Sequence, residues 1–228
     1  MIRRRGAALV VATLAAGVAT AEPFRPDDPG LVLEWVPPAL DDTEREARAL
    51  QSRLAATPED RALRLQLAQL QLERGRRASD PRFFGRAQGA LGPLWEADDL
   101  SAPGLVLRAA LHRAFHDFAG SLKDLDAALE LDPRQAQAYL DRATTLRALG
   151  EPVEAAKACH IATRLTRGLP ALVCLAGATS LAGAAEASRG ALAAALDAGK
   201  GDAPTRVWAE TVLGEVEARL GRDGEAER

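Results

Sequence analysis

Two cysteines and three histidines are the side chains of this 228-residue sequence best suited to metal binding or nucleophilic attack. His112 and His116 lie four residues apart, so a helix would present both on one face, as in half of a metal site. Arg113 follows the first histidine where a zinc-protease motif has Glu, and a third ligand would have to come from a distant segment. We therefore predict that the chain has no metal site.

Serine, histidine and aspartate are all present, but not in the context of a catalytic motif. The sequence contains no Gly-x-Ser-x-Gly elbow and no glycine-rich loop of the kind that holds phosphate. Nothing in the pattern places a base, a nucleophile and an oxyanion donor together. We predict that the protein is not an enzyme and uses no cofactor.

Small residues recur about every 34 residues from Arg61 to the C-terminus. The eighth, twentieth and twenty-seventh places are Ala109, Ser121 and Ala128 in a unit that starts at Ala102, and Ala143, Ala155 and Ala162 in a unit that starts at Ala136. A glycine stands at or near the fifteenth place in four units, as Gly75, Gly150, Gly183 and Gly221. Small side chains at these intervals indicate helices that cross closely, and the glycines indicate turns between them.

This spacing resembles the tetratricopeptide repeat, a helix–turn–helix unit of helix A and helix B. The resemblance implies an all-α fold, a right-handed α-solenoid of tetratricopeptide-like repeats. It covers residues 58–228, with units near 61–99, 102–135, 136–168 and 169–202 and an incomplete unit at 207–228. Arg108 departs from the pattern, which asks for Leu there. The pattern also implies that His112 is a core residue and His116 a turn residue.

The resemblance implies binding of a protein or peptide by helix A side chains on the concave face. The candidate groove residues are Arg113, Gln137, Leu140, Thr144, Arg147 and Ser180. The arginines suit a peptide with an acidic group, but they are also compatible with an ordinary solvated surface. The carboxylate clamp of some relatives uses Asn, which this chain lacks, so we do not expect that clamp. The alternative is a structural subunit of an envelope-associated complex that docks through apolar residues such as Phe83, Phe84 and Trp95.

Cys159 and Cys174 fall, by the same resemblance, on helix B of one unit and helix A of the next. Those two helices should lie side by side, so a disulfide between adjacent repeats is possible in an oxidising compartment. The alternative is that both cysteines are small buried apolar residues.

The first 21 residues predict a secretory signal peptide. Arg3–Arg5 precede an apolar stretch, and small residues stand at Ala19 and Ala21, where signal peptidase reads them. The apolar stretch 6–18 would rise about 20 Å as a helix, short of the roughly 30 Å of bilayer hydrocarbon. We expect cleavage after Ala21 and a periplasmic or secreted protein.

The remaining segments and the charge complete the prediction. A Pro-rich linker at 22–42 and a capping helix at 43–57 precede the repeats. Removal of the signal leaves 26 basic and 32 acidic residues, a net charge of about −6, which argues against a nucleic-acid partner. No membrane span is expected after the signal, and the sequence does not predict the oligomeric state.

Overall fold

The computed structural model describes residues 42–226, and every regular element among them is a helix. The predicted signal peptide and nearly all of the predicted linker lie outside the described residues. The α-helices are α1 (Asp42–Ala56), α2 (Arg61–Ala78), α3 (Arg82–Leu91), α4 (Ala102–Ala114), α5 (Phe118–Leu131), α6 (Ala136–Ala148), α7 (Pro152–Leu165), α8 (Leu169–Thr179), α9 (Ala185–Asp197), α10 (Ala203–Arg219) and α11 (Asp223–Ala226). A 3₁₀ turn (Gly92–Trp95) follows α3, and a π turn (Ser180–Ala184) joins α8 to α9.

The α-helices after α1 form consecutive helical hairpins, each made of a helix A and a helix B. Helices α2, α4, α6, α8 and α10 are the A helices, and each contacts the A helix of the next hairpin. Helices α5 and α7 also contact the A helix that follows them. The A helices therefore form a continuous layer, and α1 packs against the first of them, α2.

Alanines at the predicted small positions lie where the helices cross. Their side chains have no exposed surface at Ala68, Ala109, Ala128, Ala143, Ala155 and Ala162. Because interiors are close-packed, a larger side chain at these crossings would force two helices apart. The register of the repeats is thus set by residue size.

Aspartate side chains begin several helices. Asp60 accepts a hydrogen bond from the backbone N–H of Leu63 at 3.0 Å, and Asp202 accepts one from that of Thr205 at 3.1 Å. These contacts satisfy N–H groups that have no partner within the helix. Asp202, together with Pro204 in the first turn, starts α10 at Ala203, four residues before the predicted start of the last unit at Val207.

The turn between helix A and helix B contains a residue with a left-handed backbone in each of the five units, and in three of them this residue is glycine. Gly150, Gly183 and Gly221 have φ values of 78°, 100° and 71°. In the second unit His116 takes this place with φ 61°, so the turn histidine occupies a conformation that favours glycine.

The first unit differs from the sequence prediction. Gly75 lies inside α2 rather than in the turn, and the left-handed residue is Ser79, with φ 50°. The Gly75 backbone approaches the ring of Phe84 so closely that an added Cβ would lie 2.5 Å from Cε1. Close approach to helix B, and not turn geometry, therefore explains this glycine.

The segment Leu169–Asp197 is long and apolar enough to cross a membrane by length and composition. This stretch was not expected from the sequence alone. The structure divides it at Gly183 into α8 and α9, which pack against each other. Leu169 and Val173 of α8 and Leu192 of α9 belong to one buried cluster.

Substitutions at the turn position are expected to change stability in opposite directions. Gly150→Ala should lower the free energy of unfolding by about 1 kcal/mol, because a Cβ at positive φ is strained although no atom lies within 4 Å of it. His116→Gly should raise it by up to about 1 kcal/mol, since it relieves the same strain. Urea unfolding of both variants checks the signs. A destabilised His116→Gly variant would show that the contact of His116 with the Phe118 ring outweighs the strain.

Candidate functional site

A cavity of ≈720 Å³ lies on the layer of A helices, between α1, α2 and α4. Its apolar lining residues include Leu50 of α1, Leu65 of α2 and Leu107 of α4. Its polar lining residues are Glu46, Arg53, Gln66, Gln69 and Glu73. An apolar surface edged by a few polar groups is the usual character of a binding site for a peptide or small molecule.

A second cavity of ≈330 Å³ follows along α2, α4 and α6. It shares Gln69, Pro103 and Leu107 with the first cavity, so the two are contiguous. We call the two cavities together the helix A groove. Glutamines dominate the polar part of the second cavity, which is lined by Gln69, Leu72, Arg76, Pro103, Val106, Leu107, Ala110, Gln135, Gln137 and Asp141.

Three of the predicted groove residues lie on α6, and only one of them lines the groove. Gln137 lines the second cavity and donates a hydrogen bond to Asp141 at 3.0 Å. Leu140 is half-buried against the cluster that contains Leu146. Thr144 is exposed and donates its hydroxyl hydrogen to the carbonyl oxygen of Leu140 at 2.9 Å. Leu140 and Thr144 do not line either cavity.

Arg113 is paired within the protein. Its side chain is only 17% exposed, and its guanidinium lies 3.1 Å from the carboxylate of Asp141. Burial lowers the pKa of Arg113, while Asp141 opposes that shift and Arg76 adds to it. Arg113 thus joins α4 to α6 behind the second cavity, and it is not the free cation that the sequence suggested.

Arg147 and Ser180 contact other residues of the stack and line neither cavity of the helix A groove. Arg147 crosses α8 at Gly177, where an added Cβ would lie 2.9 Å from its guanidinium, and it reaches Glu215 of α10 at 3.6 Å. Ser180 is buried and donates a hydrogen bond to the carbonyl of Gly177 at 3.0 Å. Both side chains are therefore engaged within the stack and line neither cavity, in contrast to the expectation that they line the groove.

Sequence reasoning missed Arg76 and the wall that α1 contributes. Arg76 follows Gln69 and Leu72 on the groove side of α2. The assumption of a turn at Gly75 excluded Arg76, because it placed that residue outside helix A. Continuation of the helical period from Leu65 through Gln69 and Leu72 would have identified it.

A buried ion pair explains why Arg108 replaces the expected leucine. Its guanidinium donates to both carboxylate oxygens of Asp124 on α5, each at 2.7 Å. The two side chains are 11% and 6% exposed. Arg108 also donates to the carbonyls of Trp95 and Ala97, at 2.9 and 2.8 Å, and so ties the loop after α3 to α4 and α5. Hydrogen bonding to Asp124 raises the pKa of Arg108.

The two histidines that could have formed half of a metal site do not converge. The ring of His112 stacks on Trp95 with centroids 4.5 Å apart, and its Nδ1 lies 2.7 Å from Asp117. His116 lies in the turn, with its ring against Phe118. Residues 42–226 contain no group of three potential metal ligands.

Cys159 and Cys174 are joined in the structure. Their Cα atoms lie 5.6 Å apart, and the bond links α7 of the third unit to α8 of the fourth. Both cysteines are buried, so the link lies within the interface between the units. It leaves no free cysteine in the described part of the chain.

The apolar residues that suggested a docking surface are partly covered by the chain itself. The guanidinium groups of Arg74 and Arg86 lie over the ring of Phe83, at 4.4 and 4.9 Å. Phe84 packs on Gly75, and Trp95 packs on His112. These residues stabilise the first two units and do not form an open apolar patch.

Comparison with solved structures identifies the fold. A tetratricopeptide-repeat protein from Parabacteroides merdae superposes with a TM-score of 0.57 at 15% identity, over 82% of this chain and 70% of that one. One from Thermus thermophilus gives a TM-score of 0.57 at 20% identity, over 75% and 90%. The chain has a tetratricopeptide-repeat fold. The predicted α-solenoid of such repeats is therefore confirmed.

The same repeat fold occurs in the Cut9–Hcn1 hetero-tetramer of the APC/C. The TM-score is 0.57 at 14% identity, over 81% of this chain and 33% of that larger one. No family model and no curated protein matches the sequence. The likeness thus lies in the three-dimensional repeat.

The buried pair of Arg108 and Asp124 is expected to dominate the stability of the first two units. Asp124→Ala should lower the free energy of unfolding by about 3 kcal/mol or more, because it leaves a guanidinium buried without its counter-charge. Asp126→Ala, on the same helix, removes an exposed pair with Arg142 and should cost less than about 1 kcal/mol. Chemical denaturation measures both. Equal losses would show that the burial of the first pair has no energetic consequence.

Proposed function

We propose that this protein is an exported, non-enzymatic scaffold that binds a peptide segment of a partner protein in the helix A groove. The observation that carries the proposal is the continuity of the two cavities along α1, α2, α4 and α6. A groove that crosses several helices suits an elongated ligand better than a compact one. Its apolar surface would bury apolar side chains of the ligand, and its polar residues would orient the ligand through hydrogen bonds.

The rigidity of the walls supports this proposal. The groove is formed by helices. Arg113 fastens α4 to α6 through its ion pair with Asp141, and Arg108 fastens α4 to the neighbouring helix α5 through its ion pair with Asp124. The salt bridge between Glu44 and Arg74 also fastens α1 to α2. A preformed site loses less conformational entropy on binding than a flexible one. The Cut9–Hcn1 assembly supports the broader role, because there the same fold is part of a protein complex.

The alternative is a structural subunit of an envelope complex, which would dock through apolar residues outside the groove. The structure leaves Phe115, Leu149 and Leu181 41%, 44% and 42% exposed, close to the turns between helix A and helix B. The ring of Phe115 lies edge-on to Trp95, with centroids 6.3 Å apart, so these residues begin at the region that first suggested the alternative. A partner that binds there would be insensitive to a blocked groove, which separates the two functions.

Blocking the groove is expected to abolish peptide binding. Gln69 is exposed and lines both cavities, so Gln69→Trp would fill the groove without removing a core side chain. Peptides selected from a random display library on the mature chain should bind this variant at least about tenfold more weakly, a loss of about 1.4 kcal/mol. Fluorescence anisotropy with a labelled peptide gives the affinities.

Lys123→Trp is the matched control, because it places the same indole on the exposed surface of α5. It should bind with the affinity of the unmodified protein, and both variants should retain the same helicity and melting temperature. Equal affinity of all three proteins would place the selected peptides outside the groove and would favour the subunit function.

Export and the disulfide are tested together by the mass of the exported chain. Protein recovered from a periplasmic extract should begin at Glu22 and contain no free thiol. Cys174→Ala should lower the free energy of unfolding by about 3 kcal/mol, as expected for a link that closes a loop with a sequence separation of 15. Retention of residues 1–21 in the recovered protein would contradict cleavage after Ala21.

A further inference from the structure

The second cavity contains an imbalance of charge. Arg76 lines this cavity, and it lies close enough to Arg113, which does not line the cavity, to contribute to the lowered pKa of Arg113. Asp141 is the only carboxylate among the residues that line this cavity. Because Asp141 is paired with Arg113, the positive charge of Arg76 is not neutralised by an acidic residue of the cavity lining.

Both carboxylate oxygens of Asp141 accept hydrogen bonds from residues other than Arg76. One carboxylate oxygen accepts hydrogen bonds from both terminal nitrogens of Arg113, at 3.2 and 3.1 Å. The other accepts from the side-chain amide of Gln137 at 3.0 Å. Asp141 is only 7% exposed. Its charge is thus used to compensate the buried Arg113.

Arg76 has no ion-pair partner among residues 42–226. The nearest acidic residue along α2 is Glu73, whose carboxylate accepts a hydrogen bond from Gln69 and lies 3.8 Å from Arg77. Arg76 is exposed, and it lines the cavity together with three glutamines and Val106. An unpaired arginine in a groove is well suited to bind a carboxylate through paired hydrogen bonds.

We propose that the helix A groove selects peptides in which apolar side chains are followed or preceded by an aspartate or glutamate. The apolar side chains occupy the cavity between α1, α2 and α4, and the carboxylate binds Arg76 in the second cavity. This inference rests on the proposed function and adds the chemistry of the ligand to it. Gln69, which lies between the two cavities, would contact the middle of such a peptide.

Charge reversal at Arg76 tests the selection directly. Random peptides are displayed against the mature chain and against Arg76→Glu. Peptides enriched on the mature chain should carry Asp or Glu beside apolar residues, and those enriched on Arg76→Glu should carry Lys or Arg instead. A peptide selected on the mature chain should bind Arg76→Glu at least about tenfold more weakly, and its Glu→Lys version should reverse that order.

Arg77→Glu is the matched control. It produces the same change in net charge one residue away, but Arg77 does not line either cavity and its side chain is 69% exposed. It should leave both the selected sequences and their affinities unchanged. If Arg77→Glu weakens binding as much as Arg76→Glu does, the effect comes from overall charge and the inference fails. Arg76→Gln replaces Arg76→Glu if the reversed charge prevents folding, and it should abolish the preference for acidic peptides.

The outcomes separate this inference from the proposed function. One outcome is that Gln69→Trp prevents binding of the selected peptides but that these peptides show no preference for acidic residues. This would overturn the inference and leave the peptide-binding function standing. Peptides insensitive to Gln69→Trp would overturn both. Sedimentation shows whether the mature chain forms a dimer that the Gln69→Trp substitution dissociates. Such a dimer would mean that a second copy occupies the groove, and it would overturn both the inference and the proposed function.

Discussion

Alanine at the helix crossings is the constraint on which the remaining structure depends. Helix axes pack roughly 8–10 Å apart according to the side chains between them, and an alanine contact permits the closest approach. The same choice limits how much apolar surface each crossing buries, because a methyl group contributes far less than a leucine side chain. A stack built on alanine is therefore precise in its spacing but needs additional links between its elements.

Arginines supply many of those links. Arg108, Arg113, Arg147 and Arg189 each leave one helix and reach a carboxylate on another, and all four side chains are at least partly buried. A guanidinium on a long stem can cross a small-residue interface that no short side chain could bridge. Among them, Arg113 and Arg147 join one helix A to another, from α4 to α6 and from α6 to α10.

The sequence predicted the period, the helix pairs and the adjacency of Cys159 and Cys174, because these depend on residue size at fixed intervals along the chain. It did not predict which arginines would be paired. The partner of Arg147 is Glu215, in a different unit, and only the three-dimensional stack shows that Gly177 leaves a path between them.

The predicted turn of the first unit was wrong for a related reason. A glycine at the fifteenth place signals a turn in the other units, whereas Gly75 serves close packing, so α2 extends far enough to place Arg76 in the groove.

The covalent link between α7 and α8 has a consequence for how the stack moves. In a repeat protein each unit is stabilised mainly by its neighbours, so cooperativity spreads along one dimension and weak interfaces divide the stack into separate folding units. A bond at one interface makes the third and fourth units fluctuate as a single body. Of the helices that line the groove, α6 belongs to that body, whereas α1, α2 and α4 have no such bond in the described residues. Local opening is thus expected to involve the first two units more than the third and fourth.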